Sequence, residues 1–403
     1  MNNNEKHKIL IINSGSSSVK YALFQMPGQN MLAKGAIDRI GQSTSRFKYD
    51  SKVKVFDREV HTKTYQDNLS LIVQTITDKG IGIISHIKEI DIVGHRVVHG
   101  GSDFNGPAII NEAVIDSIKK LIPLAPLHNP PDLEGIKAAG KILPDTRQIA
   151  CFDTTFHRTI PQTAFMYGLP YELYEKYNIR KFGFHGISHR FVAEKATQLL
   201  NRDGDRNIIT CHLGNGCSIT AIKGGRSVDT SMGFTPMEGL LMGTRPGDFD
   251  PAIIFYLEAK GYNQNQLNDI CNKKSGLIGI SGVSSDIRDL LKAVREGNKR
   301  AELAIEIFCY RIKKYIGAYT AVLGKLDAIV FTGGIGENCP QIRAKACDGL
   351  SQLDIEIDPD KNNLNENKES YISNLKSKVK ILVIPTNEEL AIAKDCFELI
   401  KER

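Results

Sequence analysis

The stretch ILIINSGSSSVKY, residues 9–21, runs four apolar residues into a small polar turn and out again into an alternating segment. That spelling predicts a strand, a tight loop and a second strand. Asn13, Ser14, Gly15, Ser16, Ser17 and Ser18 crowd hydroxyls, an amide and one unhindered backbone position into the bend, and Lys20 follows at once. Such a loop can surround a phosphate or a hydrated metal ion with short donors and acceptors. The same composition also makes an ordinary hairpin turn, since Asn, Gly and Ser dominate turns for conformational reasons. Both readings stay open on this stretch alone.

About 200 residues downstream the grammar restarts. NIITCHLGNGCSITAI, residues 207–222, is again an apolar strand, a Gly-containing polar turn and an alternating strand. Between the two, residues 31–64 alternate apolar with polar and predict further antiparallel strands. Leu69 to Ile84 carries helical spacing, and a strand is expected over Asp91–Val98. Further on, Ala301–Leu323 reads as a long helix with one apolar stripe. Ala328–Asn338 reads as a buried strand entering a Gly-rich bend, and Ile381–Pro385 as a short strand. Asn387–Ile400 is an amphipathic helix whose first turn holds Glu388 and Glu389, as the helix dipole favours. Residues 358–378 are polar and predict a surface excursion. One strand-turn-strand opening per half implies two similar α/β domains, residues 1–150 and 151–385, facing each other across a cleft with a phosphate-sized loop on either side. The crossings are expected near Ala150–Thr154 and Pro385–Glu388.

A chain of 403 residues, 41% hydrophobic and 24% charged, has the composition of a two- or three-domain globular enzyme. The net charge of +6 comes from Lys and Arg interleaved with Asp and Glu, with no dense basic run, so a nucleic-acid partner is not expected. Cys151, Cys211, Cys217, Cys271, Cys309, Cys339, Cys347 and Cys396 contain no CxxC pair and read as reduced core thiols of a cytoplasmic protein. MNNNEKHK lacks an apolar export segment, and no run is long and apolar enough to span a membrane.

No GxxxxGK[ST] motif exists, and GGIGEN lacks the last glycine of a dinucleotide fingerprint. Three separate bends must therefore share any phosphates: His212, Leu213, Gly214, Asn215 and Gly216; Asp286, Ile287 and Arg288; and Gly334, Ile335, Gly336, Glu337 and Asn338. Two histidine pairs, His95 with His99 and His185 with His189, have the spacing of a helical zinc pair. The first lies in a strand-like pattern and Gly186 weakens a helix at the second, which argues against zinc.

Taken in order, NSGSSSVKY, GHRVVHGG, APLHNP, CFDTTFH, FGFHGISH, HLGNGCSI, FTGGIGEN and PTNEE resemble the motif series of the acetate kinase (acetokinase) family over nearly the whole chain. The resemblance implies two duplicated ribonuclease-H-like domains of the actin, sugar kinase and chaperone ATPase superfamily, with the C-terminal helix of about 386–403 packing back on the first. It implies reversible transfer of the ATP γ-phosphoryl to acetate, giving acetyl phosphate and ADP, with Mg2+ as cofactor, Mn2+ as an alternative, and a homodimer. By the same resemblance Asn13 and Glu388 are metal-associated and Lys20 is nucleotide-binding. Arg96 matches the substrate-carboxylate arginine, Arg245 the second arginine, His185 the transition-state histidine and Asp153 the catalytic aspartate. Val98, Leu127, Phe184 and Pro236 match the acetate-methyl pocket, and His128 a position near the active site. Glu388 as a plain helix-terminal carboxylate and His128 as a turn cap remain alternatives.

Phosphoryl transfer needs in-line positioning and neutralisation of charge on the equatorial oxygens, which two arginines, a histidine and Mg2+ can supply. Acetate is already ionised near neutral pH, so Asp153 is expected to position Arg96 or a metal-bound water and not to abstract a proton. The alternatives are a propionate kinase of the same family, less readily a butyrate kinase, or an actin-like or chaperone-like ATPase without an acyl substrate.

Overall fold

The computed structural model describes residues 5–200, 205–364 and 368–401. The chain divides into one unit of Met1–Thr155 with Asn387–Arg403 and a second of Phe156–Thr386.

In the first unit β1 (His7–Ser14) and β2 (Ser18–Met26) form the opening hairpin, with Ile12 opposite Tyr21 and Asn13 opposite Lys20. β3 (Asn30–Asp38), β4 (Ser45–Ser51) and β5 (Val55–Val60) extend it antiparallel. β6 (Ile92–Val97) then joins β1 parallel; β7 (Ala108–Ile109) is a short edge on β8 (Arg147–Phe152), which runs parallel to β6. The order is β5-β4-β3-β2-β1-β6-β8-β7. Strand β1 sits inside this sheet, and Ile9–Ile12 are all buried, which is why its spelling is continuously apolar where β4 alternates. Helix α1 (Tyr65–Ile76) starts at a Thr64–Asp67 capping box. It stops eight residues before the expected Ile84, because the Asp78 carboxylate accepts the N–H groups of Gly80 and Ile81 and turns the chain. Helices α2 (Glu112–Lys120) and α3 (Asn129–Ile142) complete the layer. Gly135 lets α3 lie close on β1, since a Cβ there would meet Ser14 Oγ at 2.1 Å.

The second unit opens with α4 (Gln162–Phe165), α5 (Tyr171–Tyr177) and α6 (Gly186–Leu199). Gly186 begins α6 and does not weaken it: the helix accepts glycine in its first turn, so His189 of the second histidine pair sits on a helix and His185 caps it. The second hairpin is β9 (Asn207–Leu213) with β10 (Cys217–Lys223), and β11 (Arg226–Thr230) follows antiparallel. Next come α7 (Ala252–Ala259), α8 (Gln264–Asp269), α9 (Gly276–Ser281), α10 (Ile287–Arg295) and the 25-residue α11 (Lys299–Leu323). β12 (Ala328–Thr332) enters α12 (Gly333–Asn338), so GGIGEN is a short helix and not a bend. Gly333 makes the turn at φ +77°, where a Cβ would also lie 2.7 Å from the Leu213 carbonyl. α13 (Pro340–Cys347), α14 (Pro359–Asn363), β13 (Ser370–Tyr371) and β14 (Lys380–Val383) end the unit. The expected polar excursion is partly interior: Asn362 and Ser377 are buried, and residues 365–367 lie outside the described ones. The terminal helix α15 (Glu388–Lys401) belongs to the first unit, where it packs on β1, β2 and β6.

The second sheet runs β11-β10-β9-β12-β14-β13. Its first five strands have the order and senses of β3-β2-β1-β6-β8: three antiparallel, then two parallel on the strand that opened the hairpin. The molecule is thus α/β with a duplicated ribonuclease-H-like unit. All eight cysteines are buried and none forms a disulfide, and no helix among the described residues is long and apolar enough to cross a membrane.

Candidate active site

In the first unit Arg96, on β6, and Asp153, just beyond β8, form a two-pronged pair: Nε donates to Oδ1 at 3.0 Å and Nη2 to Oδ2 at 2.6 Å. Parallel pairing of β6 with β8 sets this up, and the Asp153 N–H is held by the Val97 carbonyl at 3.0 Å. Glu388, first residue of α15, places Oε2 3.5 Å from Arg96 Nε. Burial alone would push the Arg96 pKa down, but Asp153 and Glu388 outweigh it and hold the guanidinium above its ordinary value.

Asp132 joins this group without having been legible as a site residue. It lies in the first turn of α3, is 3% exposed, and accepts the Val98 N–H at 3.0 Å. Burial pushes its pKa well up, only partly offset by that hydrogen bond and by Arg96. The sequence signal, an aspartate after His-Asn-Pro-Pro, reads as a helix-start residue, and its burial could not be foreseen. Asn13 is at the end of β1, opposite Lys20, which is exposed. Val98 is buried and Leu127 is exposed. His128 precedes α3, and its carbonyl accepts the Asp132 N–H at 3.1 Å. His95 Nε2 pairs with the Gln148 side-chain amide at 2.8 Å, whereas His99 Nδ1 accepts the Gly101 N–H at 3.0 Å, so the two rings serve separate partners.

The donors present here fit a magnesium ion. Asp153 and Glu388 set two carboxylates against one guanidinium, an excess of negative charge. Hard oxygen donors of this kind suit Mg2+.

In the second unit, the three predicted segments come together. A cavity of about 620 Å³ is lined by Gly214 and Asn215, by Asp286, Ile287 and Arg288, and by Gly334, Ile335 and Asn338. Asp286 caps α10, accepting the Arg288 N–H at 2.8 Å and gripping its guanidinium, which leaves Arg288 projecting into solvent. Gly243 bonds to the Asn215 carbonyl at 2.9 Å, and any Cβ on it would lie 2.0 Å from Asn215 Oδ1. Leu213 is core, and Glu337 turns inward: its Oε1 accepts the N–H groups of Gly333 at 2.9 Å and Thr386 at 3.0 Å. Behind α12, the buried Arg343 donates to the carbonyls of Gly336 and Glu337 and to Asn362.

One residue past Asn215, Gly216 faces two predicted residues at once. A Cβ there would stand 2.8 Å from Arg245 Nη2 and 3.4 Å from His185 Nε2. His185 caps α6 in the left-handed region, φ +55°, a conformation that non-glycine residues hold only when their surroundings impose it. Its ring stacks on His212, centroids 4.2 Å apart. Arg245 donates to the Pro236 carbonyl and has no carboxylate partner among the described residues; burial pushes its pKa down, only partly offset by Cys217. Phe184 is buried, and its carbonyl takes a hydrogen bond from His157 Nε2 at 3.0 Å. The cavity wall and the His185–Arg245 pair therefore meet at the HLGNG turn.

The model of the acetokinase family matches residues 8–394. The chain belongs to the acetokinase family. It is 51% identical over 397 residues to the acetate kinase of Treponema denticola, covering 98% of this chain and 100% of that one. Among solved structures, Porphyromonas gingivalis acetate kinase superposes with a TM-score of 0.90 at 44% identity, covering 98% of this chain and 100% of that one. A propionate kinase from Francisella tularensis gives 0.90 at 41% identity, covering 96% and 98%.

In this acetokinase the predicted residues fall into two sets. Asn13, Lys20, Arg96, Val98, Leu127, Asp153 and Glu388 belong to the first unit; the three cavity-lining segments, Phe184, His185, Pro236 and Arg245 belong to the second. Sequence reasoning missed Asp132, and it missed Thr210, Ser218 and His189, which hold the His185 ring from behind. Their signal is slight: ordinary strand residues and one more histidine.

Proposed function

We propose that this protein is an acetate kinase, moving the γ-phosphoryl of ATP reversibly onto acetate to give acetyl phosphate and ADP. The observation that carries it is the meeting of Arg245 and His185 at Gly216, beside a cavity walled by two glycine-containing turns and the start of α10. A nucleotide-hydrolysing relative that only changes shape has no use for that pair.

The cavity takes the nucleotide: backbone at Gly214, Gly334 and Ile335 allows close approach, and the start of α10 offers Asp286, Ile287 and Arg288. Lys20 adds positive charge toward the phosphates. A divalent ion, Mg2+ or Mn2+, held by Asn13 and Glu388, would neutralise charge on the β- and γ-phosphates. Arg96 grips the acetate carboxylate. One acetate oxygen bonds to γ-phosphorus as the bond to the ADP oxygen breaks, and Arg245 and His185 donate to the equatorial oxygens while charge spreads over them. Acetate enters already ionised, so no base removes a proton. Asp153 is spent on both prongs of Arg96 and fixes its plane, the work of a positioning residue. We assign the acetate methyl to Val98, Leu127, Phe184 and Pro236. An added methylene changes binding in such a pocket by about 1–3 kcal/mol, so propionate should be a slower substrate.

We assign the working form as a homodimer in the cytoplasm. In support, α7 has no buried residue although it reads AIIFYLEA, with Phe255 69% and Tyr256 62% exposed, an apolar face that a second copy would cover. Eight buried cysteines without a disulfide suit a reducing compartment. Hydroxamate formation from ATP, hydroxylamine and acetate, repeated with propionate and butyrate, tests activity and preference together. A specificity constant for propionate at or above that for acetate would defeat the assignment of the pocket.

A further inference from the structure

We propose that Thr210, Ser218 and His189 are positioning residues, forming a hydrogen-bonded chain of one polarity that keeps the proton of neutral His185 on Nε2, the atom beside Gly216 and Arg245. The proposal rests on the role given to His185 above and asks what makes that ring a donor.

Four groups stand in line. Thr210 Oγ1 is 2.7 Å from His189 Nδ1, His189 Nε2 is 2.7 Å from Ser218 Oγ, and Ser218 Oγ is 2.9 Å from His185 Nδ1. The fold fixes them: Thr210 and Ser218 lie on the paired strands β9 and β10, and His189 lies one turn along α6 from His185. Thr210, Ser218 and His189 are fully buried. Among the described residues Thr210 Oγ1 has no other hydrogen-bond partner, and Ser218 Oγ has only the two rings.

A hydroxyl has one proton to give, and a neutral imidazole has one N–H and one bare nitrogen. Burial, with His157 and His212 nearby, pushes the His189 pKa well down, so that ring is neutral. Two polarities then remain. In the first, Thr210 donates to His189 Nδ1, His189 Nε2–H donates to Ser218, and Ser218 donates to His185 Nδ1. Every group is satisfied, and His185 carries its proton on Nε2. In the second every bond reverses: His189 Nδ1–H donates to Thr210, whose buried hydroxyl proton is left without an acceptor. His185 Nε2 is then a bare lone pair aimed toward the phosphoryl group. Buried donors are rarely left unmade, so the first polarity holds. Stacking on His212, whose Nδ1 is 2.8 Å from Ser188 Oγ, fixes the ring plane. A neutral ring locked in this way can donate to an equatorial oxygen without being charged first.

The test is spectroscopic. Two-bond 15N–1H correlation on full-length protein labelled with 15N-histidine, at pH 8, distinguishes protonated from bare ring nitrogens, and the His185→Asn spectrum identifies the His185 signals. Wild type should show Nε2 protonated and Nδ1 bare. Thr210→Val removes the donor that sets the polarity and should populate the Nδ1–H form, with kcat down about tenfold and both KM values unchanged. Thr210→Ser should restore both readouts. An Nδ1–H signature in wild type, or an unchanged Nε2–H signature in Thr210→Val, would overturn the proposal. Absence of acetyl phosphate would defeat the kinase reading instead, while the spectra still decide the chain's polarity.

Discussion

Replacing Asp153 by Asn keeps the shape of the side chain and removes its charge, leaving an amide where Arg96 has two donors at 3.0 and 2.6 Å. At the shorter distance the attraction is about 6 kcal/mol for an effective dielectric constant of 20. Part of that only offsets the cost of taking both groups out of water, and breaking a buried pair from one side costs a net 3–5 kcal/mol or so. Glu388 at 3.5 Å remains as a counter-charge, which favours the lower end. About 3 kcal/mol lost from the first unit corresponds to a melting shift of roughly 6–12 °C for a unit of that size. The amide must also turn its oxygen to one prong and its NH2 to the other, so Arg96 loses its plane. Misplacement of a positioned group by an ångström costs about 100-fold in rate. The hydroxamate assay should therefore show kcat down by about that factor and a raised KM for acetate, with KM for ATP little changed. Near-normal turnover with unchanged metal dependence would refute both the positioning role of Asp153 and its place at the catalytic centre.

Gly216→Ala should fold normally yet lose most of its turnover, because the added methyl meets Arg245 Nη2 at 2.8 Å; initial rates beside circular dichroism check this. Arg343→Met removes four hydrogen bonds, two of them to the carbonyls of Gly336 and Glu337, and should raise KM for ATP several-fold with acetate KM unaffected, Arg343→Lys falling between. His157 is buried, which pushes its pKa down to about 4 from 6.5 against the opposing effect of its bond to Phe184. The unfolded chain therefore binds the extra proton in that window, and stability present above pH 6.5 is lost as pH falls toward 4, at about 1.4 kcal/mol per pH unit. Urea unfolding of His157→Gln should show lower stability at neutral pH and a shallower loss across the same window.

Both hairpins were legible because a buried central strand followed by a polar turn leaves a spelling that few other structures share. The shared strand order follows from the same restart at Asn207. Less legible were features decided at a distance. The end of α1 at Ile76 depends on the Asp78 turn, and GGIGEN is helical because Gly333 turns the chain at a positive φ and Glu337 bonds back to it. Nothing local to Asp132 announces that a carboxylate in a helix's first turn will be buried beside Arg96. Glu337 belongs to a recognisable motif, but its carboxylate holds Gly333 and Thr386, which only the fold reveals. Motifs mark where function gathers, while the division of labour inside them depends on which atoms burial leaves unpartnered.

The central claim is phosphoryl transfer to acetate, and trapping the acyl phosphate tests it most directly. Purified protein with Mg-ATP, acetate and hydroxylamine should yield acetyl hydroxamate and ADP in equal amounts, with neither formed when acetate is omitted. ADP release at the same rate with or without acetate, and no hydroxamate, would contradict it.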